Sequence, residues 1–523
     1  MKKKKEKFKL AVIDLETDPF KYNRIPLPFA AGFFDGNTYH QTWGDNCVAD
    51  MMDYLMDYPV PLRIYAHNGG RFDFWYMQSG IQNPLFFIKN RLVKARFLER
   101  HEIRDSYSAI PVPLRDYKKD DTDYTLFERG IRDKHKKSIG LYLQHDCEYL
   151  YQLMSDFTDE FGAKLTMGSA AIKELNKVHP QKHQSPWHDA EFRPWYSGGR
   201  VQCFQHGVIH GKFHCYDVNS LYPYVMASRE HPIGDSYFTT KRLPDSGVYF
   251  ADITVQSNGA LPRREKHGAL RFPVGEHRFT ACSHEIQMGL ELGWLKIKQV
   301  HSVTKAMHTQ SFDAFVAKFA HRKIEYEKGG NTSMRLFMKL IMNSAYGKFA
   351  TDPAQFKDAK IFDDVDTMQS EGYSFAGMFG NSILGEKQAE IKSYQYHDVA
   401  IAASITSAAR AELMLGLANA TRPLYCDTDS IICESLDMEL HDSKIGAWKD
   451  EGQGDEVAIG GKKLYAVFSQ GTCIKQASKG VRLDASTIRA IAQGEIVESE
   501  IDAPNLRLGK MPSFIKRKIA STL

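Results

Sequence analysis

The sequence predicts a multidomain protein of mixed α/β and α+β class, and three observations lead there. At 523 residues the chain is too long for a single core, since domains usually hold about 100 to 200 residues, so three or more structural units are expected. Hydrophobic residues make up 43% and aromatic residues 12%, enough to bury several cores, and a mean hydropathy of −0.42 places the chain among globular proteins rather than membrane or disordered ones. Short apolar runs ending in acids are interleaved with segments of helical period, so strands and helices mix along the chain.

The N-terminus, MKKKKEKFKL, starts like a secretion signal, but the apolar run AVI meets Asp14 and Glu16 before a signal core can form, and export is not expected. The lysine run reads as a solvated tail. No stretch approaches ~18 uninterrupted apolar residues, so no membrane span is expected. The eight cysteines are scattered without a CxxC pair, which argues against structural zinc and a disulfide framework and for a reducing cytoplasm. A net charge of +4 is too mild to identify a nucleic-acid partner by itself.

Residues 8–18, FKLAVIDLETD, read as a buried strand ending in acids, and period-two geometry puts Asp14 and Glu16 on one face. Taken alone, an Asp-x-Glu is more often a solvated strand end. Residues 65–77, YAHNGGRFDFWYM, embed Asp73 among aromatics after a Gly-Gly turn, and an acid in that setting needs a metal, a cation or hydrogen bonds. In SIGLYLQHDCEYLYQL, a helical pattern, Tyr142 and Asp146 are four apart and project from one face. Asp14, Glu16, Asp73 and Asp146 together offer enough hard oxygen ligands for two Mg²⁺ or Mn²⁺ ions, with the Tyr142 hydroxyl able to orient a water beside them.

Further along, KFHCY alternates like a strand and ends in Asp217-Val218-Asn219-Ser220-Leu221-Tyr222-Pro223, with Pro223 expected to close the turn. Residues 423–434, PLYCDTDSIICE, read as two short strands joined by an acidic turn carrying Asp427 and Asp429. Such a pair repels itself unless cations neutralise it. Asp217 and Asp429 are the expected ligands of two further ions, and Asp427 is a supporting acid. The helical segment MRLFMKLIMNSAYGKF puts Lys339, Asn343, Tyr346 and Gly347 on one face. Lys339 there can neutralise a triphosphate, Tyr346 can pack against a base pair, and Gly347 permits close approach.

These segments resemble family B DNA polymerases. Asp-x-Glu, Asn-x-x-x-Phe-Asp and Tyr-x-x-x-Asp resemble the three motifs of their 3′→5′ proofreading exonuclease, while DVNSLYP, KLIMNSAYG and YCDTDS resemble polymerase motifs A, B and C, all in the family's order. The resemblance implies an RNase H-like exonuclease domain followed by a right-hand polymerase of palm, fingers and small thumb with two insertions. It implies that Thr17, Asn68, Phe72 and Ser106 hold the frayed primer end, although the usual Ser-Leu pair reads Ser106-Tyr107 here. Val218, also a backbone metal ligand, would bind nucleotide with Ser220, Leu221 and Tyr222, and Tyr222 would block a ribose 2′-OH. Tyr196-Ser197-Gly198-Gly199 is similar to the Tyr-x-Gly-Gly loop and Thr406-Ser407-Ala408-Ala409-Arg410 to the Thr-x-x-Ala-Arg segment. By that likeness Tyr196, Gly198, Gly199, Ser344, Gly347, Thr406 and Arg410 would touch DNA. Lys463-Leu464-Tyr465 is similar to the Lys-x-Tyr that grips the primer terminus, and a strand would place Lys463 and Tyr465 on one face. A second triphosphate contact is expected from HRKIEYEKGG, at Arg322, Lys323 or Lys328, with Lys323 favoured and Gly329-Gly330 turning the chain.

The expected divisions are 1–185 (exonuclease), 186–240 (loop and first palm segment), 241–320 (first insertion), 321–350 (fingers), 351–398 (second insertion), 399–470 (second palm segment) and 471–523 (small thumb). Compact length with insertions at those positions resembles the protein-primed subclass of phages, adenoviruses and linear plasmids. The implied partners are template and primer DNA, dNTPs and a terminal protein contacting the first insertion, with a monomer working off the membrane in the host cytoplasm. The alternatives are a nucleic-acid-primed relative from a virus or mobile element, and a replication scaffold without chemistry.

Overall fold

The structure, a computed structural model, describes residues 8–21, 24–114, 120–180, 186–266, 268–352, 356–389, 397–478, 480–500, 503–514 and 516–521. The lysine run at residues 2–5 lies outside them. The N-terminal unit is built on a seven-stranded sheet. Lys9–Thr17 sits near its centre, parallel to Leu62–Ala66 and antiparallel to Pro28–Phe34. The apolar face of the long helix Lys136–Phe161 covers this sheet. Gly32 makes the close approach possible, because a Cβ there would lie 2.9 Å from Leu143 Cγ. The strand's C-terminal half and the middle of the helix thereby bring their acids together.

A second seven-stranded sheet, wholly antiparallel, forms the centre of the rest of the chain. Its order is Thr472–Ser478, Leu464–Ser469, Trp448–Gly461, Gly207–Val218, Ser430–Cys433, Tyr425–Asp427 and Val201–Cys203. Pro223 falls inside the helix Leu221–Ser228, not in a closing turn. A proline in the first helical turn loses no bond, because N–H groups there have no intrahelical acceptor. Thr472–Ser478 belongs to this sheet, so the boundary expected at 471 cuts through a continuous ladder.

Across the sheet lies the helix Val399–Ala418. By length and composition it could span a membrane, with a mean hydropathy of 1.3, but 89% of that window is buried inside the protein, as the core helix of a folded unit would be. Asn331 caps the helix Thr332–Phe349, its side chain accepting from the Met334 N–H. That helix pairs with Asp313–Lys328, whose start lies inside the segment expected to be insertion, while Gly329-Gly330 turns the chain as expected. The hairpin of helices therefore begins near 313 rather than 321. Phe337 meets Phe157 and Phe161 of the long N-terminal helix edge-on, at ring-centroid distances of 5.7 and 6.2 Å. One apolar core thus runs from the N-terminal unit into the helical hairpin.

Two larger sheets, of four and three strands, sit outside this frame. Tyr237–Thr240, Leu295–Ala306, Tyr249–Asn258 and Val274–Cys282 form one, and Lys357–Phe362, Ser382–Gln388 and Ser374–Phe379 form the other. The second is tied to the N-terminal unit by Asn83, whose side chain bonds the Ile361 carbonyl at 2.8 Å and its N–H at 2.9 Å. It also meets the C-terminal segment. A Cβ on Gly377 would come within 1.6 Å of the Gly509 carbonyl oxygen, and Lys510 donates to the Ala376 carbonyl.

Because Phe337 fills the joint between the units, Phe337→Ala should lower stability by about 3 to 5 kcal/mol. Urea unfolding would show the loss, and an unchanged midpoint would mean the joint is not a shared core.

Candidate active sites

Asp14 and Glu16 alternate to one face at the end of the strand Lys9–Thr17, and Asp146 faces them from the long helix. One carboxylate oxygen from each lies within 4.8 Å of the others. Asp73, opening the short helix Asp73–Tyr76, is buried beside them. Its carboxyl is pushed well above the usual carboxylate range, first by burial and then by the Asp14 charge. The four acids line a cavity of about 380 Å³ together with Thr17, Asn68, Phe72 and Tyr142. Oxygen-only donors crowded this closely, with no lysine or arginine among the described lining residues, fit hard divalent cations. The Tyr142 hydroxyl lies 3.2 Å from that of Tyr124, and burial first raises its pKa.

His67, Phe20 and Tyr124 also line this cavity and carried no signal in the sequence reading. Phe20 meets Phe72 edge-on at 5.8 Å. Ser106, expected to touch DNA, is 0% exposed. Its hydroxyl donates to the Ala66 carbonyl and lies 3.0 Å from His67 Nδ1. A side chain so placed acts on the cavity only through His67.

The second acidic cluster forms where three strands end. Asp217 closes Gly207–Val218 and pairs in register with Ser430, next to Asp429, and the Val218 N–H donates to the Asp429 carbonyl at 2.8 Å. The Asp217 carboxyl is pushed up to about 7 by burial, then by Asp429 and Glu451, with Lys475 and Lys339 opposing. Asp429 is raised by burial and then by Asp427. At both acids burial and the neighbouring carboxylates outweigh the nearby lysines. Asp427 has a direct cationic partner, because Lys463 Nζ reaches both of its oxygens at 2.7 Å.

Lys463 stands in the turn before Leu464–Ser469, at φ +59°, so the period-two argument for a shared face with Tyr465 fails. Tyr465 is buried, its ring 4.8 Å from that of Tyr425. Val218 and Leu221 have buried side chains, which leaves only their backbone for a nucleotide, and Ser220 is left-handed at φ +54°. On the facing helix Lys339 and Gly347 are exposed and Asn343, Ser344 and Tyr346 half-buried. A Cβ at Gly347 would meet open space. The Tyr222 and Tyr346 rings stack at 3.9 Å with an interplanar angle of 9°. Arg322 is held by both oxygens of Glu160, at 2.6 and 2.9 Å, and is not available to a triphosphate. Lys323 and Lys328 remain.

Thr406 and Arg410, also expected at DNA, have buried side chains engaged within the protein. Thr406 is buried and donates to the Ala403 carbonyl. Arg410 is 3% exposed, with both sides of its guanidinium engaged. It donates to the two Glu285 oxygens at 2.8 and 2.6 Å and to the Ser197 and Gly198 carbonyls at 2.5 and 2.8 Å. It fixes the loop Tyr196–Gly199, whose Gly199 lies against Thr428: a Cβ there would come 2.8 Å from the threonine hydroxyl. Thr428, at φ +61°, donates its N–H to the Arg200 carbonyl at 2.7 Å. The loop therefore supports the turn that carries Asp427 and Asp429.

A family model described as DNA polymerase type B, organellar and viral, matches residues 93–446. The DNA-directed DNA polymerase of Enterobacteria phage PRD1 is 37% identical over 99% of both chains. The chain belongs to the type B DNA polymerases. A DNA polymerase of Bacillus phage B103 is 23% identical over 78% of this chain and 75% of its own. The structure of phi29 DNA polymerase complexed with primer-template DNA matches 99% of this chain and 100% of its own with a TM-score of 0.73 at 17% identity. The polymerase therefore shares that fold of exonuclease, palm, fingers and thumb with insertions.

Since the Asp217 carboxyl keeps its proton up to about pH 7, a divalent cation must displace that proton to bind below it. The Mg²⁺ concentration for half-maximal primer extension should rise as pH falls from about 8 to 6, by up to about tenfold per unit. Without metal the folded polymerase binds this proton more tightly than the unfolded chain, so stability, unlike Mg²⁺ affinity, falls as pH rises through the window between 3.8 and about 7. A Mg²⁺ requirement independent of pH would show that Asp217 is already ionised.

Proposed function

We propose that this DNA-directed DNA polymerase extends a primer at Asp217 and Asp429, proofreads in the 3′→5′ direction at Asp14, Glu16, Asp73 and Asp146, and starts synthesis on a terminal protein. The observation that carries the reading is the presence of two separate desolvated acid clusters in one chain. Mg²⁺ or Mn²⁺, two ions at each centre, would neutralise these acids and activate the attacking oxygen when bound.

The chain's own residues do the rest. At the synthesis site Lys339 and Lys323 approach the triphosphate of a dNTP as cations. The Tyr222–Tyr346 stack walls the nucleotide at the sugar and the base pair, which supports a role for Tyr222 in excluding a ribose 2′-OH. Lys463, held by Asp427, is poised beside the primer end. At the exonuclease site Thr17, Asn68 and Phe72 line the space for a frayed 3′ end, and the Tyr142 hydroxyl orients a water against the acids. Protein priming is supported by the likeness to phage polymerases and by the two inserted sheets. The contact between second insertion and C-terminal segment would help enclose DNA and support strand displacement. The natural setting is then the host cytoplasm, with the polymerase a monomer on its DNA.

The test uses a primed template carrying a downstream blocking strand. Wild type with Mg²⁺ and dNTPs should extend through the block, and without dNTPs should shorten the primer. Asp217→Asn and Asp429→Asn should lose about a thousandfold of extension, equivalent to ~4 kcal/mol, yet still degrade single strands. Asp14→Ala with Glu16→Ala should do the reverse. A double variant that still digests would sink the exonuclease assignment.

A further inference from the structure

The first insertion carries a feature that the chemistry above does not use. Within it a short hairpin pairs Arg263 with Arg271 and Arg264 with Leu270. Two guanidinium side chains thus stand directly opposite one another on neighbouring strands, an arrangement that costs stability through repulsion unless an anion lies between them. Three contacts from two distant segments nevertheless hold the hairpin in place. Arg264 donates to the Tyr196 carbonyl at 2.9 Å, Lys462 donates to the Leu270 carbonyl at 2.9 Å, and the buried Arg200 guanidinium lies 4.2 Å from the Phe272 ring centroid.

Between this hairpin and the edge strand Val201–Cys203 is a cavity of about 830 Å³, into whose lining His206, Arg263, Arg271 and Lys462 all enter. Glu265 is the one acid among its described lining residues, 3.8 Å from Arg263. The edge strand is hydrogen-bonded to Tyr425–Asp427, with Val201 opposite Asp427, so the cavity lies one strand away from the synthesis site. Lys462 and Lys463 divide between the two places: Lys463 meets Asp427 and Lys462 the hairpin.

We propose that this hairpin is a backbone grip for the primer–template duplex beside the synthesis site, with Arg263, Arg271 and Lys462 meeting its phosphates. The inference rests on the polymerase reading above and deepens it. A guanidinium fork matches phosphate oxygens two at a time, and a polyanion between Arg263 and Arg271 turns their repulsion into binding.

The test is the salt dependence of duplex binding, followed by fluorescence anisotropy of a labelled primer–template from about 50 to 200 mM KCl. Each phosphate contact contributes about 0.9 to the slope of log affinity against log salt. Arg263→Gln with Arg271→Gln should therefore shallow the slope by about two and weaken binding. Arg263→Lys with Arg271→Lys, which keeps the charges, should recover the slope. Lys296→Ala with Lys298→Ala, removing exposed cations from the strand Leu295–Ala306 of the same insertion, should leave it unchanged. An unaltered slope in the double glutamine variant overturns the proposal. So does intact duplex binding with loss of initiation on a protein primer, which would assign the hairpin to a protein partner. Primer extension by wild type in the same series keeps the polymerase reading separate from either outcome.

Discussion

Carboxylates brought together at strand ends and partly stripped of water are the constraint on which the rest of this structure depends. Asp217 lies at the end of one strand and Asp429 in the turn that leads into its partner strand; burial raises both, and then Asp429 raises Asp217 while Asp427 raises Asp429. Asp73 is raised in the same order, by burial and then by Asp14. Such clusters are unfavourable in isolation, because a desolvated charge keeps its proton unless a cation compensates it. The fold holds them in place because each acid stands on, or in a turn beside, an element whose other residues are locked in a core. At the N-terminal site that core lies between sheet and long helix, and at the second it lies between sheet and the helix Val399–Ala418.

The second cluster also depends on a support that never touches substrate. Arg410 and Glu285 form a fully buried ion pair that reaches out to the Ser197 and Gly198 carbonyls. Through Gly199 and Thr428 this contact sets the turn bearing Asp427 and Asp429. Removing one partner of such a pair typically costs about 3 to 5 kcal/mol, since the other charge is left buried and unpaired. Segments near residues 198, 285, 410 and 428 thus form one unit although they are far apart in the chain.

Much of this was legible in the sequence because it is local. An acid two residues from another on a strand, or four from a tyrosine on a helix, is placed by backbone period alone, and Asp14, Glu16, Tyr142, Asp146 and the Lys339 face are found where that period puts them. Burial was not legible. Ser106, Thr406 and Arg410 were expected to touch DNA from the family resemblance, and a polar side chain in a sequence gives no sign of whether it faces a groove or a core. Their partners, His67 and Glu285, come from remote segments. Lys463 was misplaced for a different reason: the strand starts one residue later, and a left-handed turn residue breaks the alternation. The start of the helical hairpin at Asp313 and the sheet membership of Thr472–Ser478 are settled by tertiary pairing, which period cannot supply.

The central claim is that the two acid clusters are separate cation centres, each built from its own strand ends. Titrating Mn²⁺ into the metal-free polymerase and counting bound ions by electron paramagnetic resonance tests it most directly. Wild type should show two independent sets of sites; Asp217→Asn with Asp429→Asn should remove one set, and Asp14→Ala with Glu16→Ala the other. Loss of both sets in either variant, or of neither, would contradict it.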